Sequence, residues 1–231
     1  MLDLFIGNKN YSTWSMRPWL VLKHFDIQFK EHLIPFDDFQ PDSLFKKMIL
    51  TINPTGKVPA LRDGEFLIWD SLAICEYLAE VFPEKSLWPK DKKQRARARC
   101  MSAEMHSGFT ALRSACGMNL DADLAEVGAK LWLENPQLQQ DVKRIEALWA
   151  ERPSQNSFLC GDEFSIVDAF FAPVVMRFIG YGIPVSDLNQ RYMQSILNLA
   201  AVQQWIAEAK AEHVFVACEE PYRTQQDSSG A

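Results

Sequence analysis

Long hydrophobic runs are missing from this 231-residue chain, and several other absences narrow its class further. The longest apolar candidate, near Phe170 to Met176, is broken by Pro173 and falls far short of the roughly 18 residues that span a bilayer. No basic segment leads the N-terminus, and Asp3 interrupts its short apolar start, so a secretory leader is not expected. Positive charge is also in deficit. With 24 Lys and Arg against 30 Asp and Glu, the net charge of -6 argues against nucleic acid as a partner. The five cysteines, at 75, 100, 116, 160 and 218, are odd in number and lack C-x-x-C or metal-ligand spacing, so reduced thiols are expected. Four histidines form no H-x-x-H or H-E-x-x-H pair, so no metal site is indicated. The expectation is a cytoplasmic protein with no membrane partner.

What is present is a globular composition, 48% hydrophobic and 12% aromatic, long enough for one large domain or two small ones. Leu2 to Ile6 reads as a buried strand, Ser15 to Phe25 as an amphipathic helix, and Phe29 to Ile34 as a second strand. Asp42 to Leu50 follows as a helix. Val58 to Arg62 and Glu65 to Trp69 form a hairpin around Asp63-Gly64, a type I′ turn signal. From Asp70 onward, Leu72, Cys75, Leu78, Ala79 and Phe82 line one helical face, giving the order βαβαββα. Two prolines, Pro83 and Pro89, then interrupt every periodic pattern. The predicted division is residues 1–82, a linker at 83–90, an all-helical domain at 91–223 and a disordered tail at 224–231. Helices are expected over Asp91 to Met118, Pro136 to Ala150, Ile166 to Ile179 and Val202 to Ala211.

The loop between the first strand and first helix carries the most chemistry. Pro18 is harmless only in a first helical turn, which predicts an N-cap no earlier than Ser15 and leaves the hydroxyls of Ser12 and Thr13 unassigned. A helix N-terminus favours an anion there: a phosphate, a carboxylate or a thiolate. A phosphate would want a Gly-rich loop with a Lys, and this loop has only Gly7. The second signal is Asn53-Pro54-Thr55-Gly56-Lys57-Val58-Pro59-Ala60-Leu61, followed by the cap-type pair Asp70-Ser71. Proline beside a strand edge gives up a ladder donor, and a cis Val58-Pro59 bond would present the Val58 backbone to an extended ligand. Farther on, Ser165 and Asp168 read as a capping box. Met101, Met105, Phe109 and Leu112 recur at helical spacing, a pattern shared by core and by pocket walls. The basic cluster from Lys90 to Arg99 opposes its helix dipole and reads as a solvated face or a dimer contact.

Taken together, the N-P-T-G-K-V-P-A-L run, the D-S pair ahead of L-A-I-C-E-Y-L, and the F-L-C-G-D-E-F-S-I-V-D-A segment resemble the glutathione transferase family over about residues 1 to 215. The resemblance implies a fold of α/β plus all-α class: a thioredoxin-like N-terminal domain and an all-helical C-terminal domain. It also implies glutathione as co-substrate, a small electrophile as second substrate, detoxifying conjugation and a homodimer. Ser12-Thr13-Trp14-Ser15-Met16-Arg17 is similar to the S-S-C-S-x-R segment of the zeta class, which makes Ser12 the catalytic serine with Thr13 as its neighbour. Trp14 stands where that class has cysteine. By the same resemblance Val58 would hold the cysteinyl backbone, with Pro59 as the cis proline. Asp70 and Ser71 would hold the γ-glutamyl group, and Lys57 either reaches the glycyl carboxylate or is a solvated loop residue. Glu104 would reach a partner's glutathione, and Met105, Phe109 and Arg113 would border the second substrate. Conjugation, zeta-type isomerisation as in maleylacetoacetate isomerase, and a non-enzymatic transferase-like module all remain open at this point.

Overall fold

In the computed structural model, which describes residues 1–155 and 157–225, a mixed sheet forms from β1 (Leu2–Ile6), β2 (Phe29–Leu33), β3 (Ala60–Asp63) and β4 (Phe66–Trp69) in the order β2-β1-β3-β4. Most of the predicted tail lies outside the described residues. β1 runs parallel to β2 and antiparallel to β3, and β3 pairs antiparallel with β4. Leu4 and Ile6 are fully buried, as a central strand covered on its faces requires. The hairpin turn differs from the type I′ expectation. Among the residues between the strands only Gly64 has a positive φ, at 58°, which is the placement of glycine that a type II′ turn needs.

The helices of the first half are α1 (Thr13–His24), α2 (Leu44–Leu50) and α3 (Ser71–Val81). α1 starts earlier than predicted: Ser12, not Ser15, is its N-cap, and Pro18 lies inside the helix. An interior proline costs about 3 kcal/mol. Met16, Trp19, Leu20, Val21 and Leu22 are all completely buried, and at about 1.5–3 kcal/mol for each large apolar side chain that burial outweighs the lost bond.

The second half comprises α4 (Lys92–Ser107), α5 (Thr110–Ala115), α6 (Ala125–Glu134), α7 (Pro136–Ala150), α8 (Ile166–Gly180), α9 (Asp187–Leu197) and α10 (Ala200–Ala211). The single helix expected from Asp91 to Met118 is broken between α4 and α5. A Cβ on Gly108 would lie 2.7 Å from the Glu104 carbonyl oxygen, and Phe109 takes a left-handed φ of 55° with its ring buried. The N–H of Leu112 then donates to Asp141 Oδ2 of α7 at 3.0 Å, which fixes the new direction. α8 is the buried axis of this half. Its Asp168 accepts from the N–H groups of Leu159 and Ser165, each at 3.0 Å, while burial pushes its carboxyl up to about 6.

α1 packs against α3 on its own side and against α8 and α10 of the helical half. Lys9, in the loop after β1, ties the halves together. Its buried ammonium contacts Glu31 of β2 at 2.6 Å and Glu208 of α10, and sits over the rings of Trp19 and Trp205. The chain after α10 returns to the first half as a strap. Glu220 Oε1 lies 2.7 Å from Tyr11 Oη and accepts from Asn119 Nδ2 at 2.8 Å and Arg223 Nη2 at 2.7 Å. The connecting segment after α3 is also packed down: Leu87 and Trp88 are buried, and the Leu87 carbonyl accepts the Ile166 N–H at 3.0 Å.

Candidate functional site

Two adjoining cavities open in the cleft between the sheet domain and α4–α5, and Trp14, Lys57, Val58 and Arg113 line both. The start of α1 sets their chemistry. Ser12 Oγ donates to Ser15 Oγ at 2.7 Å, Ser15 Oγ accepts the Gly7 N–H at 3.2 Å, and the Ser15 N–H reaches back to Ser12 Oγ at 3.4 Å. Ser12 and Thr13 both line the cavity of about 490 Å³. Partially positive N–H groups at the first turn of a helix face the same region, which stabilises negative charge placed there.

The second cavity, of about 590 Å³, is walled by the Asn53–Pro59 loop, by Asp70 and Ser71, and by His106 from across the cleft. Asn53 is completely buried, donates to the Lys57 carbonyl at 2.8 Å and accepts the Thr55 N–H at 3.2 Å, so the loop is rigidly supported. The Val58-Pro59 peptide is cis. Asp70, at a φ of 75°, spends Oδ1 on the N–H groups of Leu72 and Ala73 and leaves Oδ2 toward His106 Nε2 at 3.1 Å. Ser71 Oγ is buried without a hydrogen-bond partner among the described residues, a deficit that an incoming carboxylate would correct.

Positive charge surrounds this cleft. Arg17 is buried between the rings of Trp14 and Phe170, 4.2 and 4.6 Å from their centroids, and burial together with Arg177 and Arg113 lowers it to about 9. Arg113 also stacks on Trp14, 4.8 Å from its ring centroid, and its Nη1 donates to the Gly108 carbonyl. Burial holds His106 below the usual imidazole range, so the ring is neutral at pH 7. Trp14 thus anchors two guanidinium groups where the resembled segment has cysteine.

The predicted residues Ser12, Thr13, Lys57, Val58, Pro59, Asp70, Ser71 and Arg113 all line these cavities. Met105 and Phe109 do not. They are 0% and 7% exposed because their apolar side chains pack into the hydrophobic core, so of the three residues expected at the second substrate only Arg113 lines the cleft. Glu104 lies outside both cavities, bound by Arg144 at 2.6 Å. Arg177 of α8 and Glu219 of the strap line the smaller cavity, although nothing in their sequence surroundings marked them. Cysteine chemistry has no place here: Cys75 is completely buried and burial pushes its thiol up. Among the described residues no cluster of His, Cys, Asp and Glu has the makings of a metal site, and no helix is long and apolar enough to cross a membrane.

Residues 11–81 match the family model for the glutathione S-transferase N-terminal domain, and residues 119–208 match that for its C-terminal domain. The chain is 32% identical over 215 residues to glutathione S-transferase Z2 of Arabidopsis thaliana, covering 88% of this chain and 92% of that one. It is 30% identical over 164 residues to a probable maleylacetoacetate isomerase of Caenorhabditis elegans, covering 71% and 72% respectively. A crystal structure of a glutathione transferase homolog from Burkholderia gl BGR1 with bound glutathione superimposes with a TM-score of 0.67 at 23% identity, over 91% of this chain and 98% of that one, and shows the same fold.

Proposed function

The chain belongs to the glutathione S-transferase family, and from that membership we propose that the Ser12 hydroxyl stabilises the thiolate of glutathione for attack on a small electrophile. The protein is an enzyme of this family with glutathione as its co-substrate. An ordinary thiol, with a pKa of roughly 8.5, is mostly protonated at neutral pH, and only the thiolate attacks well. The observation that carries the reading is the hydroxyl pair at the start of α1. When a sulfur anion arrives, Ser12 Oγ–H turns to donate to it and Ser15 Oγ–H donates in turn to Ser12 Oγ, while Gly7 N–H keeps Ser15 in place. Each bond in such a chain polarises the next.

The rest of the tripeptide follows the second cavity. The Val58 backbone would pair with the cysteinyl unit, Asp70 Oδ2 would take the γ-glutamyl ammonium, and Ser71 Oγ its carboxylate. Lys57, which lines both cavities, is the candidate for the glycyl carboxylate. Thr13 is the alternative donor to sulfur. A homodimer belongs to the same reading, and Glu104 would have to leave Arg144 to serve a partner's glutathione. Isomerisation of an acidic substrate is favoured as a second reading by one observation: Lys46, Lys57, Arg113 and Arg177 all line the cavity beside Ser12. Calorimetric titration with glutathione tests the whole scheme, and absence of binding at millimolar ligand would refute it. Assays with a haloarene and with a cis-unsaturated keto acid then separate conjugation from isomerisation.

A further inference from the structure

Among the described residues, the cavity that Ser12 and Thr13 line contains a single carboxylate, Glu219, and four cationic side chains. Three of those cations are already engaged or exposed in ways that explain them. Lys46 Nζ donates to the Gly56 carbonyl at 2.7 Å, Arg113 Nη1 donates to the Gly108 carbonyl at 3.2 Å, and Lys57 belongs to the solvent-facing loop. Arg177 is different. It is only 6% exposed, its Nε donates to the Cys116 carbonyl at 2.7 Å, and its buried Nη1 has no partner among the described residues. A buried guanidinium N–H without an acceptor, in a residue that lines a cavity, calls for an oxygen carrying negative charge.

Glu219 is delivered to this cavity by the strap, whose neighbouring Glu220 is fastened to Tyr11, Asn119 and Arg223. The Glu219 carboxyl makes no hydrogen bond to any described residue. We propose that Glu219 is the proton donor to the second substrate, working beside Arg177, and that the electrophiles it serves carry a carbon–carbon double bond conjugated to a carbonyl. The inference rests on the thiolate reading above and extends it to the step after sulfur attack.

The step balances without any added reagent. The thiolate sulfur forms a bond to the β-carbon, the π electrons move to the carbonyl oxygen as an enolate, and Arg177 Nη1–H donates to that oxygen. Glu219 then gives its proton to the α-carbon, becomes a carboxylate, and recovers a proton from water; the proton released when the glutathione thiol ionises closes the account. The carboxyl has the right proton occupancy for this. Burial raises it, Arg177 opposes that and Glu220 adds to it, with the outcome about 7; Arg113 of α5, Lys46 of α2, Lys57 of the loop before β3 and the Tyr11 hydroxyl are the other charged and titratable groups that line the cavity among the described residues. A carboxyl raised this far can both give up and regain a proton near neutral pH.

The test compares two electrophiles in wild type, Glu219→Gln and Glu219→Asp. Addition to phenylbutenone needs a proton at carbon, whereas substitution on chlorodinitrobenzene expels chloride and needs none. Glu219→Gln should lower the phenylbutenone rate by roughly 100-fold while leaving the chlorodinitrobenzene rate within about twofold, and Glu219→Asp should recover part of the loss. In wild type the phenylbutenone rate should fall as pH rises through about 7, and this limb should vanish in Glu219→Gln. Equal losses on both electrophiles, or a retained limb, would overturn the proposal. Thiolate absorbance with glutathione, recorded in the same proteins, separates the two readings: its absence in wild type removes the Ser12 scheme and this one with it, while an intact thiolate signal with an unaltered phenylbutenone rate in Glu219→Gln removes only the proton donor.

Discussion

Replacing Ser12 with alanine removes the donor nearest the proposed sulfur position and keeps the backbone N–H groups of α1. A hydrogen bond to a charged acceptor contributes about 1.5–3 kcal/mol. At 1.36 kcal/mol for each pKa unit, its loss should raise the pKa of bound glutathione by about one to two and cut the ratio of thiolate to thiol by about 10–100-fold. Turnover at pH values below the bound thiol's pKa should fall by the same factor and the pH optimum should rise, with glutathione affinity largely kept, because Val58, Asp70 and Ser71 are untouched. The structural cost should be small. Ser12 Oγ accepts the Ser15 N–H at a long 3.4 Å, so the lost cap lies near the low end of the usual range, about 0.5 kcal/mol. Ultraviolet absorbance of the thiolate, followed against pH in wild type, Ser12→Ala, Ser15→Ala and Thr13→Val, measures the effect directly. Ser15→Ala should fall between wild type and Ser12→Ala, since it removes only the support behind the donor. An unchanged thiol pKa in Ser12→Ala, or an equal rise in Thr13→Val, would refute the reasoning.

Three further outcomes are expected elsewhere in the molecule. His106 is held neutral by burial at pH 7, so acidification through its depressed pKa creates an imidazolium that competes with the γ-glutamyl ammonium for Asp70; KM for glutathione should rise at acid pH in wild type and lose that rise in His106→Phe. Lys9→Met should destabilise the fold by about 2 kcal/mol in urea titrations, less than for a fully buried pair because Glu31 and Glu208 keep contact with water. Gly128→Ala would set a Cβ 1.7 Å from the Tyr181 carbonyl oxygen, and a loss of about 3 kcal/mol should appear in the same assay.

Elements whose start and stop are written in neighbouring residues were legible in advance. α7 follows its prediction over Pro136–Ala150 because Asn135 caps it, accepting the Leu138 N–H at 3.0 Å, and Pro136 occupies its first position. α1 was misread at its start because a local rule about Pro18 met a helix whose stability comes from packing. α6 is missed in the sequence because it presents little to the core, Gly128 being its one buried residue, whereas α9 buries Tyr192 and Ile196 on a single short face among mostly polar residues. The residues proposed to hold glutathione cluster in short motifs on a few turns, and such motifs are readable in a sequence. Arg177 and Glu219 reach the cleft only through the placement of α8 and the strap, which no spacing in the chain records.

The bond between Tyr11 and Glu220 joins residues 209 positions apart. During synthesis, at roughly 5–20 residues per second, the loop bearing Ser12 leaves the ribosome about 10–40 s before the carboxylate that latches it. A chain stalled after Ala211 but before Glu219 can hold the sheet and its helices but lacks the strap, and with it the wall that Glu219 supplies. The smaller cavity is therefore finished last, and the space beside Ser12 is closed only in molecules whose translation has passed the strap.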